Sequence, residues 1–317
     1  MQLTEAPPRR QWGVRRKLVA RSLVTPPAFD LAPPAWALRL LEAGHRVIRP
    51  REWPLSVALR ETERFSLASA RVAGACDLDD AAFERSAADA YTHLAEIMAA
   101  RPNRHPVRLW NHIPHIRRTY QKGLDRYMVF NAGRFAACSQ WFGSPDAFDR
   151  LLPTASAVGH DGTDLVVHLL AADAPGTAVE NPRQVPSYRY SRRFGPRPPC
   201  FARATTVRWD DDGAATILVG GTASIRGEET MHRGDLPAQA RETFDNMTAL
   251  VQAAGAEGLA AFESVRVYYV HEADRTVVER MTQAAFPHLA TIEYVKADLC
   301  RPDLLIEIEG VARSSER

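Results

Sequence analysis

The sequence has no uninterrupted apolar stretch long enough to form a transmembrane helix. Its basic start, with Arg9, Arg10, Arg15, Arg16 and Lys17, is followed by no apolar segment of the kind a secretion signal carries. Neither a membrane span nor a leader is therefore expected. Cysteine is scarce: Cys76, Cys138, Cys200 and Cys300 are too few for a disulfide framework and show no paired metal-ligand spacing, which makes a reducing cytoplasm the expected setting. Charge of one sign is also lacking, since 40 Lys plus Arg stand against 38 Asp plus Glu for a net +2, so nothing draws the chain to nucleic acid or lipid. A small anion stays open as a ligand, because that needs only local arginine. No phosphate loop is present: Gly220 and Gly221 are followed by Thr-Ala-Ser in a strand-like run, not by Gly-Lys-Ser before a helix, and there is no dinucleotide fingerprint. His112 and His115 flank Pro114 with no third ligand spaced near them, and the remaining histidines singled out, His160, His232, His271 and His288, read as surface or turn residues. No metal and no cofactor are expected. What remains, at 45% hydrophobic and 25% charged over 317 residues, is a globular α+β chain with room for one large or two moderate cores.

The first ~60 residues are rich in Pro and Arg and hold isolated apolar pieces such as Trp36-Ala-Leu-Arg-Leu-Leu41. From Val72 the pattern becomes regular. A strand-like run to Cys76 precedes a helix from about Ala81 to Ala100, a strand around Val107–Ile113, a helix from about Lys122 to Phe142, and a strand pair ending in Asp164–Leu170. The same order then returns. Ala215–Ser224, Ser264–Val270, Thr291–Ala297 and Leu304–Glu309 read as strands, with helices over Leu236–Ala254 and Arg275–Phe286. Residue classes repeat as well: Val107-Arg-Leu-Trp110 resembles Val265-Arg-Val-Tyr268, and Asp164-Leu-Val-Val-His168 lines up with Asp303-Leu-Leu-Ile-Glu307. The expectation is two copies of one unit, residues 1–173 and 174–317, each a mixed sheet with helices on one face. In that alignment His168 stands where the second copy has Glu307.

Leu304, Leu305, Ile306 and Ile308 make a strand that reads as covered, so Glu307 within it is expected to lose water on at least one face. A desolvated carboxyl resists ionising and can donate a proton near neutral pH. From these residues alone, an exposed place on an edge strand is the more common outcome. Between the copies, Val179–Pro199 has the proline of a connector but places Tyr188, Tyr190 and several arginines among the prolines, which suits a planar grip on an anion as well as a simple link.

The second copy, with Val219-Gly-Gly-Thr-Ala-Ser224, Asn246, Ala253-Ala-Gly255 and Ile306-Glu-Ile-Glu-Gly310, resembles the reactive-intermediate deaminase fold, a trimeric α+β module. The chain as a whole resembles the chorismatases. That likeness rests on Arg108-Leu-Trp-Asn111 with Ile113-Pro114, Phe130-Asn-Ala-Gly-Arg134, Pro153-Thr-Ala-Ser156, Val179-Glu-Asn-Pro-Arg-Gln-Val-Pro186 with Tyr188-Arg-Tyr190, Phe201-Ala-Arg-Ala-Thr205 and Gly221-Thr-Ala-Ser224. It departs from the deaminases at Thr291-Ile-Glu-Tyr-Val-Lys296, which lacks the arginine those enzymes use to hold a carboxylate, so imine hydrolysis is disfavoured.

The resemblance implies a pseudo-trimer-like arrangement within a monomer and chorismate as substrate, cleaved with release of pyruvate. It implies Glu307 as the acid that protonates the enolpyruvyl methylene, with Arg134 and Arg203 on the substrate carboxylates and Tyr127 and Tyr190 as hydroxyl donors. Cys300, seven positions before Glu307, together with Gly221 marks the subgroup that forms 3-hydroxybenzoate, the glycine giving the ring room and the thiol steering its opening. Hydrolysis to a dihydroxycyclohexadiene carboxylate, and a non-catalytic module that senses a small carboxylate, are the alternatives.

Overall fold

A computed structural model of the chain describes residues 31–50, 55–120, 123–209 and 213–315, and the basic start falls outside them. After a short helix α1 (Ala35–Arg39) come β1 (His45–Pro50), β2 (Leu55–Glu61), β3 (Phe65–Val72), helix α2 (Asp80–Ala99), β4 (His105–Pro114), helix α3 (Arg126–Trp141), the single turn α4 (Phe148–Leu151), β5 (Thr154–His160) and β6 (Leu165–Ala172). The second half runs β7 (Gly176–Val179), β8 (Ala204–Val207), β9 (Thr216–Ala223), a hairpin of β10 (Ile225–Arg226) and β11 (Glu229–Thr230), helix α5 (Leu236–Ala253), β12 (Phe262–Tyr269), helix α6 (Arg275–Ala285), β13 (Glu293–Lys296), β14 (Asp298–Leu299) and β15 (Ile306–Arg313).

The helices begin where the sequence supplies a carboxylate to take up free backbone N–H groups: Asp79 accepts from Ala82, Asp125 from Met128 and Asp235 from Ala238. On α2 the residues Phe83, Ala87, Ala90, Tyr91, Leu94 and Met98 recur at helical spacing and form its buried stripe. Two expected boundaries move for these reasons. The helix expected from about Lys122 starts at Arg126, behind its Asp125 cap, and the strand expected over Val72–Cys76 is instead the end of β3, after which Ala75–Asp77 forms a 3₁₀ turn. The closing strand, expected over Leu304–Glu309, runs on to Arg313.

The first sheet has the order β1-β2-β3-β6-β4-β5-β14 and the second β13-β12-β15-β9-β8-β7. Read from its other edge, the second sheet repeats the first: three consecutive strands, then the last strand of the unit, then the two between. Each contains one parallel pair, β4 with β5 and β12 with β13, and each receives its two long helices at the same places. The correspondence holds to the residue. Trp110 stands opposite His168 in the first sheet, and Tyr268 stands opposite Glu307 in the second. One strand breaks the repeat, since β14 leaves its own copy and pairs with β5 of the other sheet.

Alternation along the strands sorts the cores. On β6, Leu165, Val167, Leu169 and Ala171 pack with Phe83, Leu94 and Phe130 of the helices, while Leu170 and Ala172 meet Val207, Leu218 and Val311 of the second sheet. On β15, Ile306, Ile308 and Ala312 turn to the helix side, and Val311 turns to the first sheet. The two sheets thus face each other with helices outside, and being covered on both faces their central strands read as nearly continuous apolar runs. Among the described residues no helix is long and apolar enough to cross a membrane.

On the inter-sheet side His168 donates from Nε2 to the Leu31 carbonyl (2.8 Å) and accepts at Nδ1 from the Ser69 hydroxyl (2.7 Å), a neutral tautomer. The turn or surface place expected for His160 is not found: it closes β5 and is buried. Burial holds His168 down to about 4 and His112, whose ring packs on it, well below 6.5. The unfolded chain binds protons that the folded one refuses, so stability falls as pH drops from about 6.5 to about 4. His168 contributes about 3 kcal/mol to that loss, and His168→Gln is expected to flatten the decline in thermal midpoint over this interval in a pH series of melts.

Candidate active site

Period two along β15 sends Glu307 and Glu309 to the same face, between the sheets. Glu309, 1% exposed, accepts from Arg108 Nη2 (2.6 Å), Trp110 Nε1 (3.0 Å), Tyr268 OH (3.1 Å) and the Ser156 hydroxyl. Three of these donors come from β4 and β5 and one from β12, so this carboxylate ties the sheets together. Glu307, 4% exposed, has no such set. Burial, and next the charge of Glu309, push it up to about 8 against the opposing pull of Arg108 and Arg203, so at neutral pH its carboxyl is mainly protonated.

Two glycines on β9 make room for this. A side chain at Gly220 would come within 2.7 Å of Thr154 Oγ1 and 2.8 Å of the Ala155 carbonyl, so the bare residue allows β5 to close on β9. A Cβ at Gly221 would strike the Glu307 carboxyl, standing 2.7 Å from Cδ. The space expected for the substrate ring is first of all space for the acid.

The edge of β5 is taken at both ends, by Ala202 bridging Thr154 and by β14 pairing with Val158 and Gly159. The three residues between, Ala155, Ser156 and Ala157, line a cavity of about 360 Å³. All seven residues named from the sequence, Glu307, Cys300, Gly221, Tyr127, Arg134, Tyr190 and Arg203, line that same cavity. Its volume suits a small ligand, within the roughly 300–1,000 Å³ typical of such sites.

Helix α3 presents Tyr127, Asn131 and Arg134 from one face, spaced as successive turns require. Arg134 is fully buried. Its guanidinium lies over the rings of Phe130 (5.3 Å) and Phe201 (5.6 Å) and donates from Nη2 to Asn131 Oδ1 (2.8 Å), while Nε and Nη1 have no partner. Arg203 approaches Phe201 as well (5.2 Å), donates to the Tyr190 hydroxyl (2.7 Å) and the Val185 carbonyl (3.1 Å), and leaves Nε without a partner. Neither forms an ion pair within 4.0 Å among the described residues, whereas the arginines at the rim do: Arg193 with Glu229, and Arg233 with Asp303. Two buried cations without carboxylate partners therefore face one protonated acid. Burial, reinforced by Glu307, pushes the Cys300 thiol up to about 12, so it is present as S–H and not thiolate.

The segment Val179–Pro199 forms a wall of the cavity. It folds into two 3₁₀ turns, Ser187–Arg189 and Arg192–Phe194, fastened to the β10–β11 hairpin where Ser191 donates from N (2.9 Å) and Oγ (2.8 Å) to Glu228. Residues not singled out from the sequence complete the site. Phe201 is approached by both interior guanidinium groups, and Arg301 lies over Phe194 (4.1 Å) and Tyr190 (5.4 Å). Arg108 and Glu309 form the support beneath; the period of β15 alone would have found Glu309.

A carboxyl that ionises near 8 in the folded chain and near 4.5 when unfolded destabilises the fold as pH rises through that interval, by roughly 4–5 kcal/mol once fully ionised. Glu307→Gln removes the burden. It is expected to resist urea better than the native chain at pH 9, with the advantage vanishing by pH 5; equal gaps at both pH values would contradict the protonated assignment.

Comparison with known proteins places the chain by sequence and by fold. A family model described as chorismatase FkbO/Hyg5-like, N-terminal, matches residues 50–171. The chain is 36% identical over 233 residues to a 3-hydroxybenzoate synthase of Streptomyces hygroscopicus, covering 70% of this chain and 67% of that protein. It is 31% identical over 230 residues to a chorismatase of Streptomyces rapamycinicus, covering 70% and 68%. A crystal structure of a chorismatase superposes with a TM-score of 0.72 at 28% identity over 84% of this chain and 78% of the other. In sequence and in fold, the chain belongs to the chorismatase family.

Proposed function

We propose that the chain cleaves chorismate, releasing pyruvate and leaving 3-hydroxybenzoate. The observation that carries this reading is a neutral carboxylic acid, Glu307, in one cavity with two buried arginines that form no ion pair within 4.0 Å among the described residues. Such a site suits a dianion that needs a single proton. Arg134 and Arg203 each offer free guanidinium donors to a substrate carboxylate, and Tyr127 and Tyr190 supply hydroxyls between them.

Glu307 gives its proton to the enolpyruvyl methylene carbon, and the positive charge that results is shared with the ether oxygen. The ring hydroxyl then takes part as the ether bond to the ring breaks, pyruvate leaves, and loss of a ring proton yields the aromatic product. Atoms balance without water, since one C₁₀ acid gives a C₇ and a C₃ acid and the proton lent by Glu307 is returned. Cys300 acts beside the ring as a neutral thiol. Gly221 keeps the acid in its place. The name of the 36%-identical relative, a 3-hydroxybenzoate synthase, supports this product over the diol. Residues 1–173 and 174–317 serve as the two copies, and with both in one chain a monomer holds the whole site.

Mixing the protein with chorismate and following pyruvate by a coupled assay tests the reading directly; absence of turnover would leave a binding module instead. Glu307→Gln is expected to lower pyruvate release by at least about a thousandfold, the scale at which a positioned acid contributes. Cys300→Ala is expected to keep pyruvate release but shift the product, read by chromatography, from the hydroxybenzoate toward the diol. The native rate is expected to fall as pH rises through about 8, where Glu307 loses its proton.

A further inference from the structure

We propose that Glu309 is a positioning residue of the reaction: an ion-paired carboxylate, two residues from Glu307 on one strand face, whose charge keeps the proton on Glu307 and draws it back after each transfer. The proposal rests on the reading of Glu307 as the acid. It is argued from where the charges stand.

Glu309 is held by four donors from three strands, and three of them, Trp110, Ser156 and Tyr268, contribute no positive charge. Its ion-pair partner among the described residues, Arg108, is 1% exposed and divides its guanidinium among Glu309, the Ser156 hydroxyl (2.6 Å) and the Leu109 carbonyl (2.9 Å). A carboxylate so placed cannot turn to solvent or exchange partners. Arg266, opposite it on β12, is occupied by Glu293 (2.6 Å).

The surroundings of Glu307 leave Glu309 as the negative charge close to it. On β9 it faces Gly221 and Ala223, neither of which titrates. Tyr268 stands across on β12, Tyr127 lies on α3 and Cys300 follows β14; burial raises all three, so all three are neutral. Arg108 on β4, Arg203 before β8 and Arg134 on α3 are cations, and the charges of Arg108 and Arg203 would by themselves help Glu307 ionise. Glu309 opposes them. Once Glu307 has given up its proton, two carboxylates share one buried face, and the repulsion returns a proton to Glu307 from the one released as the product aromatises, so no outside acid is needed. The first copy points the same way: at the positions matching Glu307 and Glu309 it has His168 and Leu170, so the pair is present only where the acid is.

The test is the pH profile of kcat/KM for pyruvate release. Glu309→Gln is expected to move the alkaline limb down by about one pH unit or more whatever the height of the plateau below it, so that the ratio of activity at pH 8 to activity at pH 6 falls about fivefold or more. A purely structural role would lower the profile evenly and leave the limb in place, which would overturn the proposal. Because Glu309→Gln strands Arg108, the double variant Arg108→Gln with Glu309→Gln, in which no charge is left unpaired, is measured beside it. Its limb is expected to shift in the same direction by less, and an unshifted limb in both variants would also overturn the proposal. A second readout does not depend on turnover. The pH-dependent stability gap between the native chain and Glu307→Gln is expected to shrink when both are rebuilt in the Glu309→Gln background. A native chain without pyruvate release would refute the functional reading alone, whereas an unchanged gap would refute the coupling alone.

Discussion

Everything in the site leans on the ion pair between Arg108 and Glu309. It is buried, it spans the two sheets, and each member has its remaining hydrogen-bonding capacity met by Ser156, Trp110, Tyr268 or a backbone carbonyl. A buried pair of this kind contributes little net stability, because the loss of hydration nearly offsets the attraction. What it provides is registration, since the donors on β4 and β5 and the carboxylate on β15 satisfy one another only when the sheets meet in this alignment. Glu307 is then set above a fixed negative charge and below an open cavity.

The second constraint is the uneven pairing of arginine. At the rim, Arg193 and Arg233 are matched to acids, whereas inside, Arg134 and Arg203 are stacked on aromatic rings and have donors to spare. Aromatic faces steady a guanidinium without neutralising it. The interior therefore keeps two cations outside any ion pair among the described residues, an arrangement that a dianionic substrate, as proposed, would complete. Phe201 serves both guanidinium groups, 5.6 and 5.2 Å from its ring centre, and so ties them to one part of the cavity.

Much of this was legible in the chain itself. The repeat could be read because strand order and residue class recur, and the pairings of Trp110 with His168 and Tyr268 with Glu307 follow the same alignment. Burial of Glu307 could be read from the apolar residues around it. Less visible was whatever depends on contact between distant segments. That Gly221 leaves space for a carboxyl, and not only for a ligand, is set by β9 lying beside β15; that Arg108 reaches Glu309 is set by sheet packing; and that Phe201 is shared by two arginines is set by a connector without regular period. Strand β14 was hidden for another reason. Two residues of it are too few to show a pattern, and they pair outside their own copy.

That exchanged strand makes the two halves mutually dependent. Without Asp298 and Leu299, the far end of β5 would show unpaired backbone groups to water, an invitation to pair with any other chain. Cys300 comes directly after the exchanged residues, so the thread that closes one copy's sheet also delivers a site residue from the other. Dividing the chain between its two sheets would therefore open both that edge and the cavity wall that Cys300 lines.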